Sequence, residues 1–147
     1  MRKTFFLAVI IAIVAVFHAC DNVEFSTDGD LYGFWHLVSV DTLQTQRTTD
    51  MSQQKIFWSV ESRLLEMCDR DGRHPAVVCE FERVGDSLLL HSPYFSNRNE
   101  GDILIEDVQA LAPYGLSSLD PKMYIEKLSS GKLIVCTPQL RLKFKKL

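Results

Sequence analysis

Positive charge, closely spaced cysteines and long apolar runs are all scarce in this sequence, and each shortage removes a class of protein. Sixteen Lys and Arg stand against nineteen Asp and Glu. With no basic face there is no footprint for nucleic acid, and no such partner is expected. Lys143, Lys145 and Lys146 cluster near the C-terminus and read as the solvated edge of a strand. The four cysteines include no CxxC pair, so a zinc site built from Cys68, Cys79, Cys136 and His74 is not expected. The longest apolar run, residues 5–17, has thirteen residues, well short of the ~20 that span a bilayer as a helix. No nucleophile elbow or catalytic loop surrounds His36, His74 or His91, so no enzyme is expected. Asp69-Arg70-Asp71-Gly72 has the opening of a calcium loop but lacks the third oxygen ligand and the closing Glu. Asp-Gly there reads as turn chemistry, and no metal or cofactor is expected.

What the chain does have begins at its N-terminus. Arg2 and Lys3 precede the apolar run, and a small residue, Ala19, stands directly before Cys20. That order is the order of a secretory signal peptide. A cysteine in this place resembles the lipobox of bacterial lipoproteins. The resemblance implies that residues 1–19 are removed and that Cys20 becomes an acylated (palmitate-type) N-terminus. Each buried methylene of an acyl chain contributes ~0.8 kcal/mol, so two or more chains hold a protein stably at a membrane. Residues 20–30, with Asp21, Glu24, Asp28 and Asp30, then read as an acidic tether. The expected location is the cell envelope, at the outer membrane in preference to the inner one, with the periplasmic and surface faces both open.

The mature chain, residues 20–147, carries fourteen basic and nineteen acidic residues, a net charge of −5. Its length suits one domain, which buries roughly two thirds of its unfolded surface. Cys68, Cys79 and Cys136 follow Cys20; an oxidising compartment permits a disulfide and an odd count leaves a thiol over. Cys68 and Cys79 flank a predicted turn and are the candidate pair, provided the hairpin register sets them on one face.

From residue 31 onward the pattern is mostly period two, with turn residues every eight to twelve positions. This argues for an all-β antiparallel sandwich or barrel of about eight strands with at most one short helix. Strands are predicted over residues 32–41, 55–61, 63–68, 76–83, 87–91, 123–128, 132–137 and from 140 onward. The polar stretch 42–54 is long for a hairpin loop and is a candidate rim or lid. Residues 92–102 read as a second loop, carrying Tyr94 and Phe95, and 107–112 as a short helix that Pro113 limits. Ser129-Ser130-Gly131 is a hairpin signal. On the first strand, alternation sets Phe34, His36, Val38 and Val40 on one face and Trp35, Leu37 and Ser39 on the other.

Gly33-Phe34-Trp35 has the Gly-x-Trp form that opens lipocalins. The ending Met123-Tyr124-Ile125-Glu126-Lys127-Leu128, Lys132-Leu133-Ile134-Val135 and Leu142-Lys143-Phe144-Lys145 is similar to the close of small bacterial lipocalin-like lipoproteins. Over residues 31–147 the resemblance implies an up-and-down barrel, whose interior is filled by side chains or just holds one small ligand. The first functional expectation is a binding module, which takes a small apolar or amphipathic molecule between Trp35, Trp58 and neighbouring apolar side chains. Tyr94 and Phe95 are further candidates at a rim. The alternative is a filled barrel whose surface binds another envelope protein, as accessory subunit or inhibitor. Cys20→Ser is expected to abolish metabolic lipid labelling and to release the protein from membranes. Continued attachment in a membrane-fractionation assay would instead indicate an uncleaved anchor.

Overall fold

Apolar residues at every second position give eight long strands a common inner face. In the computed structural model, which describes residues 29–97, 99 and 101–147, these strands close on themselves. They are β1 (Gly33–Thr42), β3 (Ile56–Glu61), β4 (Leu64–Asp69), β5 (Val77–Val84), β6 (Ser87–Phe95), β8 (Lys122–Leu128), β9 (Lys132–Cys136) and β10 (Leu140–Lys146). Each is antiparallel to its neighbour in chain order, and β10 returns to β1. The result is the up-and-down barrel expected from the sequence. The predicted signal peptide, Cys20 and most of the acidic tether lie outside the described residues. No helix among the described residues is long and apolar enough to cross a membrane.

Two short strands, β2 (Arg47–Asp50) and β7 (Ile103–Leu104), extend the wall at one end. Part of the polar stretch 42–54 is therefore strand: β2 folds back onto the second half of β1, while β3 pairs with its first half. The loop expected over 92–102 also starts later, because β6 runs on to Phe95 and pairs there with β7. A 3-10 helix (Val108–Tyr114) replaces the short helix predicted at 107–112 and accommodates Pro113 inside it. The Asp107 side chain caps its start by accepting from Gln109 N, and Gly115, at φ 85°, ends it.

Bulges correct the simple alternation. Leu37 opposes Phe144 but Ser39 opposes Lys143, so β1 holds one extra residue near Val38. The extra residue swings Val40 to the inside, where it packs on the core, instead of leaving it on the face of Phe34 and His36. On β6, two residues lie between His91 and Tyr94 while one lies between Glu80 and Val78, and Ser92 takes up the excess at φ 50°. Phe95 consequently packs on the core and Tyr94 faces outward.

One end of the barrel is shut. Tight turns at Ser62-Arg63, Gly85-Asp86 and 129–131 join strands there, the last held by Ser129 N donating to Lys132 O at 2.9 Å. Trp35 fills the space between them. Its indole Nε1 donates to Leu31 O at 2.7 Å, and Lys146 Nζ lies 4.9 Å from its ring centroid. Lys146 Nζ also donates to Asp30 O. Gly33 sits at φ 126°, where a Cβ would come within 2.6 Å of Lys146 Cε. Trp35 and Trp58 are cross-strand neighbours, both fully buried, and the Trp58 ring lies 4.7 Å from that of Phe144. Leu37, Leu65, Met67, Leu88, Leu90, Met123 and Leu133 complete a filled interior.

The candidate disulfide is not formed. Cys79 opposes Leu65, three positions before Cys68 on β4, and an odd offset puts the two sulfurs on opposite faces of the wall. Cys79 points into the core, Cys68 is half-buried outside, and all three described cysteines are free. Trp35→Ala is expected to lower unfolding free energy by ~3–5 kcal/mol, as for a large aromatic removed from a tight core. Urea denaturation checks this, and a loss below ~1 kcal/mol would show that the closed end does not depend on the indole.

A cleft at the barrel mouth

At the open end, the alternation of β4 delivers Leu65, Met67 and then Asp69 to the inner face. A carboxylate thus occupies the next position of an apolar series, and Asp69 is the only charged residue buried among the described ones. Such burial is tolerated only with full hydrogen bonding. Asp69 Oδ1 accepts from Asp71 N at 2.9 Å, and His74 Nδ1 donates to Oδ2 at 2.8 Å. A carboxylate only accepts, so Nδ1 carries the proton of this bond. Arg73 Nε stands 3.7 Å from the same oxygen. Burial alone would raise the Asp69 carboxyl; the His74 bond, the Asp71 amide and the Arg73 groups outweigh it and hold the group below the usual carboxylate range. The Asp69-to-Gly72 segment is accordingly a turn, with Gly72 at φ 71°. No group of three or more His, Cys, Asp or Glu is arranged to hold a metal among the described residues.

The 3-10 helix lies across this mouth as a plug. Leu111, Tyr114 and Leu116 are buried, and Tyr114 OH donates to Pro75 O at 2.6 Å, tying the plug to the β4–β5 turn. Burial, and next the charge of Asp69, push the Tyr114 phenol up to about 12, so it remains a donor. Gly115 is needed where the plug meets β10, because a Cβ there would stand 2.6 Å from Leu142 Cδ2.

Between the plug and the β1–β2 rim a cleft of about 410 Å³ remains open. Val40, Met51, Leu116 and Leu140 give it apolar walls, and Thr49, Gln54, His74 and Ser117 supply polar groups. Its size falls in the lower part of the range of about 300–1,000 Å³ typical of small-molecule sites. Two depressions of about 380 and 430 Å³ on the outer wall around Tyr124 are not backed by a buried charge.

Of the four residues expected to contact a ligand, none lines the mouth cleft. Trp35 and Trp58 are brought together in the filled interior, Phe95 packs on the core near the mouth, and Tyr94 faces the exterior. Trp58 is distinctive in one respect: its indole Nε1 is buried and donates to no protein atom among those described. In the sequence His74 stands only as a discounted zinc ligand and as one of three histidines without a catalytic loop, and Asp69 as a turn residue. The one available signal was Asp69 falling in phase with the inward residues of β4.

An eight-stranded up-and-down barrel, shut at one end by a Gly-x-Trp strand and open at the other, defines a lipocalin-type protein. The lipocalin-like domain family matches residues 14–147, and the chain belongs to that family. A lipocalin-like protein from Bacteroides uniformis is similar in structure, with a TM-score of 0.62 at 15% identity over 81% of this chain and 100% of its own. An uncharacterized protein from Bacteroides eggerthii gives a TM-score of 0.57 at 11% identity over 79% of this chain and 98% of its own. At these identities the likeness is one of fold. No curated protein matches the chain.

The folded-state pKa of Asp69 lies below its unfolded value of about 3.9. The stabilisation it provides is therefore present above that value and is lost as pH falls through the folded-state pKa. Asp69→Asn is expected to be less stable than wild type by ~1–3 kcal/mol at neutral pH. The gap should close below about pH 4. Denaturation midpoints across pH check this, and a gap independent of pH would exclude an ionised Asp69 as its source.

Proposed function

We propose that this is a lipid-anchored cell-envelope protein, held by acyl chains on Cys20 at the outer membrane, whose barrel binds a small apolar or amphipathic molecule. The reading is of a binding protein, which membership of the lipocalin-like family supports. The observation that carries the reading is the mouth cleft, apolar on its walls with a few polar groups converging on it.

The second reading, a barrel that binds another envelope protein, is favoured by the dense interior and by Ile103 and Leu104. These two are about half exposed on β7 beside Tyr94, at 54% and 50%.

Ser117 is exposed on the cleft rim, so Ser117→Trp fills the cleft without disturbing the core. A ligand held there at one hundred times its Kd should stabilise wild type by ~2.7 kcal/mol, seen as a raised thermal midpoint. Ser117→Trp should abolish the rise while keeping the ligand-free midpoint. If the rise survives, the ligand sits elsewhere. If instead Ile103→Lys with Leu104→Lys releases a co-purifying protein that Ser117→Trp retains, the second reading holds.

A further inference from the structure

The outer wall of the barrel is divided by charge. Strands β8, β9 and β10 are neighbours, and together they carry seven Lys and Arg against one acid, Glu126. Met123, Leu133, Val135, Leu142 and Phe144 belong to the core, so the alternate positions put Lys122, Lys132, Arg141, Lys143 and Lys145 outside. Strands β3, β4 and β5 form the opposite wall, since β4 stands four places from β9 in the ring of eight. They carry Glu61, Glu66, Glu80 and Glu82 outside and Asp69 inside, against Arg83 alone. Arg63 and Arg70 lie in the turns at the two ends of that wall.

The basic wall is only partly neutralised. Arg141 Nε lies 2.8 Å from Glu126 Oε2, and Lys143 Nζ lies 2.8 Å from Asp41 Oδ2. Lys122, Lys127, Lys132 and Lys145 are exposed and make no ion pair among the described residues. Lys132 stands directly opposite Lys145, an arrangement that costs stability and that a bound anion relieves. Tyr124 projects from the same wall, 55% exposed, and a ring tipped by a hydroxyl suits the boundary between water and lipid. The chain enters the barrel beside this wall. Lys146 Nζ, at the end of β10, donates to Asp30 O at 3.0 Å, and Asp30 shares a hollow with Tyr124 and Lys127. Residues 20–28 number nine and reach at most ~30 Å. An acyl anchor on Cys20 therefore keeps the wall close to the bilayer and raises the effective concentration of headgroups around it.

We propose that the β8–β10 wall docks on the anionic phospholipid headgroups of the membrane that holds the anchor, an inference that rests on the lipid-anchored reading above. Lys122, Lys127, Lys132 and Lys145 meet headgroup phosphates, and Tyr124 sits at headgroup level. The glutamates of β3–β5 face away from the like-charged surface. The mature chain is acidic as a whole, so its net charge is repelled by such a surface, and only the separation of charge lets one wall attract it. Each basic side chain close to an anionic leaflet strengthens binding about fivefold. The attraction falls off within a Debye length, about 8 Å at physiological salt.

Lysine labelling on vesicles tests the inference. Acylated protein extracted from its own membrane is reconstituted into phosphatidylcholine vesicles, and into vesicles of phosphatidylcholine and phosphatidylglycerol in equal parts. The rate at which an amine-reactive reagent labels each lysine is read by mass spectrometry. Lys132 and Lys145 should label about fivefold more slowly on the phosphatidylglycerol vesicles, while Lys55, exposed at the mouth, labels equally on both. Salt at about 1 M, where the Debye length is ~3 Å, should remove the difference. Lys132→Glu with Lys145→Glu should lose the protection of Lys122 and Lys127 at unchanged thermal midpoint. Should that variant misfold, the two vesicle types decide with the wild-type chain. Equal labelling of the wall on both overturns the docking inference and leaves the anchor intact. Protection that is present in detergent and grows with protein concentration also overturns it, and assigns the wall to a second copy. A chain that carries no acyl mass on Cys20 and does not enter vesicles removes the anchored reading, and the docking inference with it.

Discussion

The pairing of β1 with β10 is the contact on which the rest of this structure depends. It joins the two ends of the domain through seven paired positions, from Trp35 opposite Lys146 to Thr42 opposite Leu140. Contacts between such distant residues carry a large loop-closure cost before they return any stabilisation. The compensation is that no sheet edge remains among the eight long strands to pair with another chain. The closed end locks the seam, with Lys146 lying over the Trp35 ring and holding Asp30 O. Gly33 holds a positive φ that L side chains rarely adopt, and a Cβ there would also press on the end of the Lys146 side chain. β1 also serves three partners, β10, β3 and β2, and the bulge at Val38 lets it leave one and take up the next.

A barrel this narrow has its interior spoken for. Trp35, Trp58, Phe144 and the aliphatic residues around them fill it, and the apolar cleft lies at the mouth instead. There the 3-10 plug and the β1–β2 rim leave a cleft, and Asp69 supplies the one buried charge among the described residues. A buried carboxylate is costly by itself and is kept by the groups around it: the Asp71 amide, the Arg73 guanidinium and His74. That shell also orients the histidine, presenting its remaining nitrogen on an apolar wall. The buried carboxylate and one wall of the cleft thus meet in the same short turn between β4 and β5.

How far the sequence speaks for itself can be judged strand by strand. Period-two alternation in residues 56–61, 64–69 and 140–146 placed strands close to where they form, and 129–131 turned as its Ser-Ser-Gly composition requires. The breaks in alternation were invisible. Val40 and Phe95 face inward only because an extra residue is absorbed near Val38 and at Ser92. Strands β2 and β7 were hidden for a related reason: Arg47–Asp50 and Ile103–Leu104 are exposed segments whose pairing is chosen by the strand beside them. The Cys68–Cys79 offset likewise followed from register and not from spacing.

What the sequence determined by itself was the material of the barrel: which segments are strands and where the chain turns. Those properties are local, set by side-chain alternation and turn chemistry within a few residues. The tertiary structure alone decided the register of each pair, the filling of the interior, and the meeting of Asp69, His74 and the 3-10 plug at the mouth. These depend on contacts between residues far apart in the chain, which become defined only when β10 closes on β1.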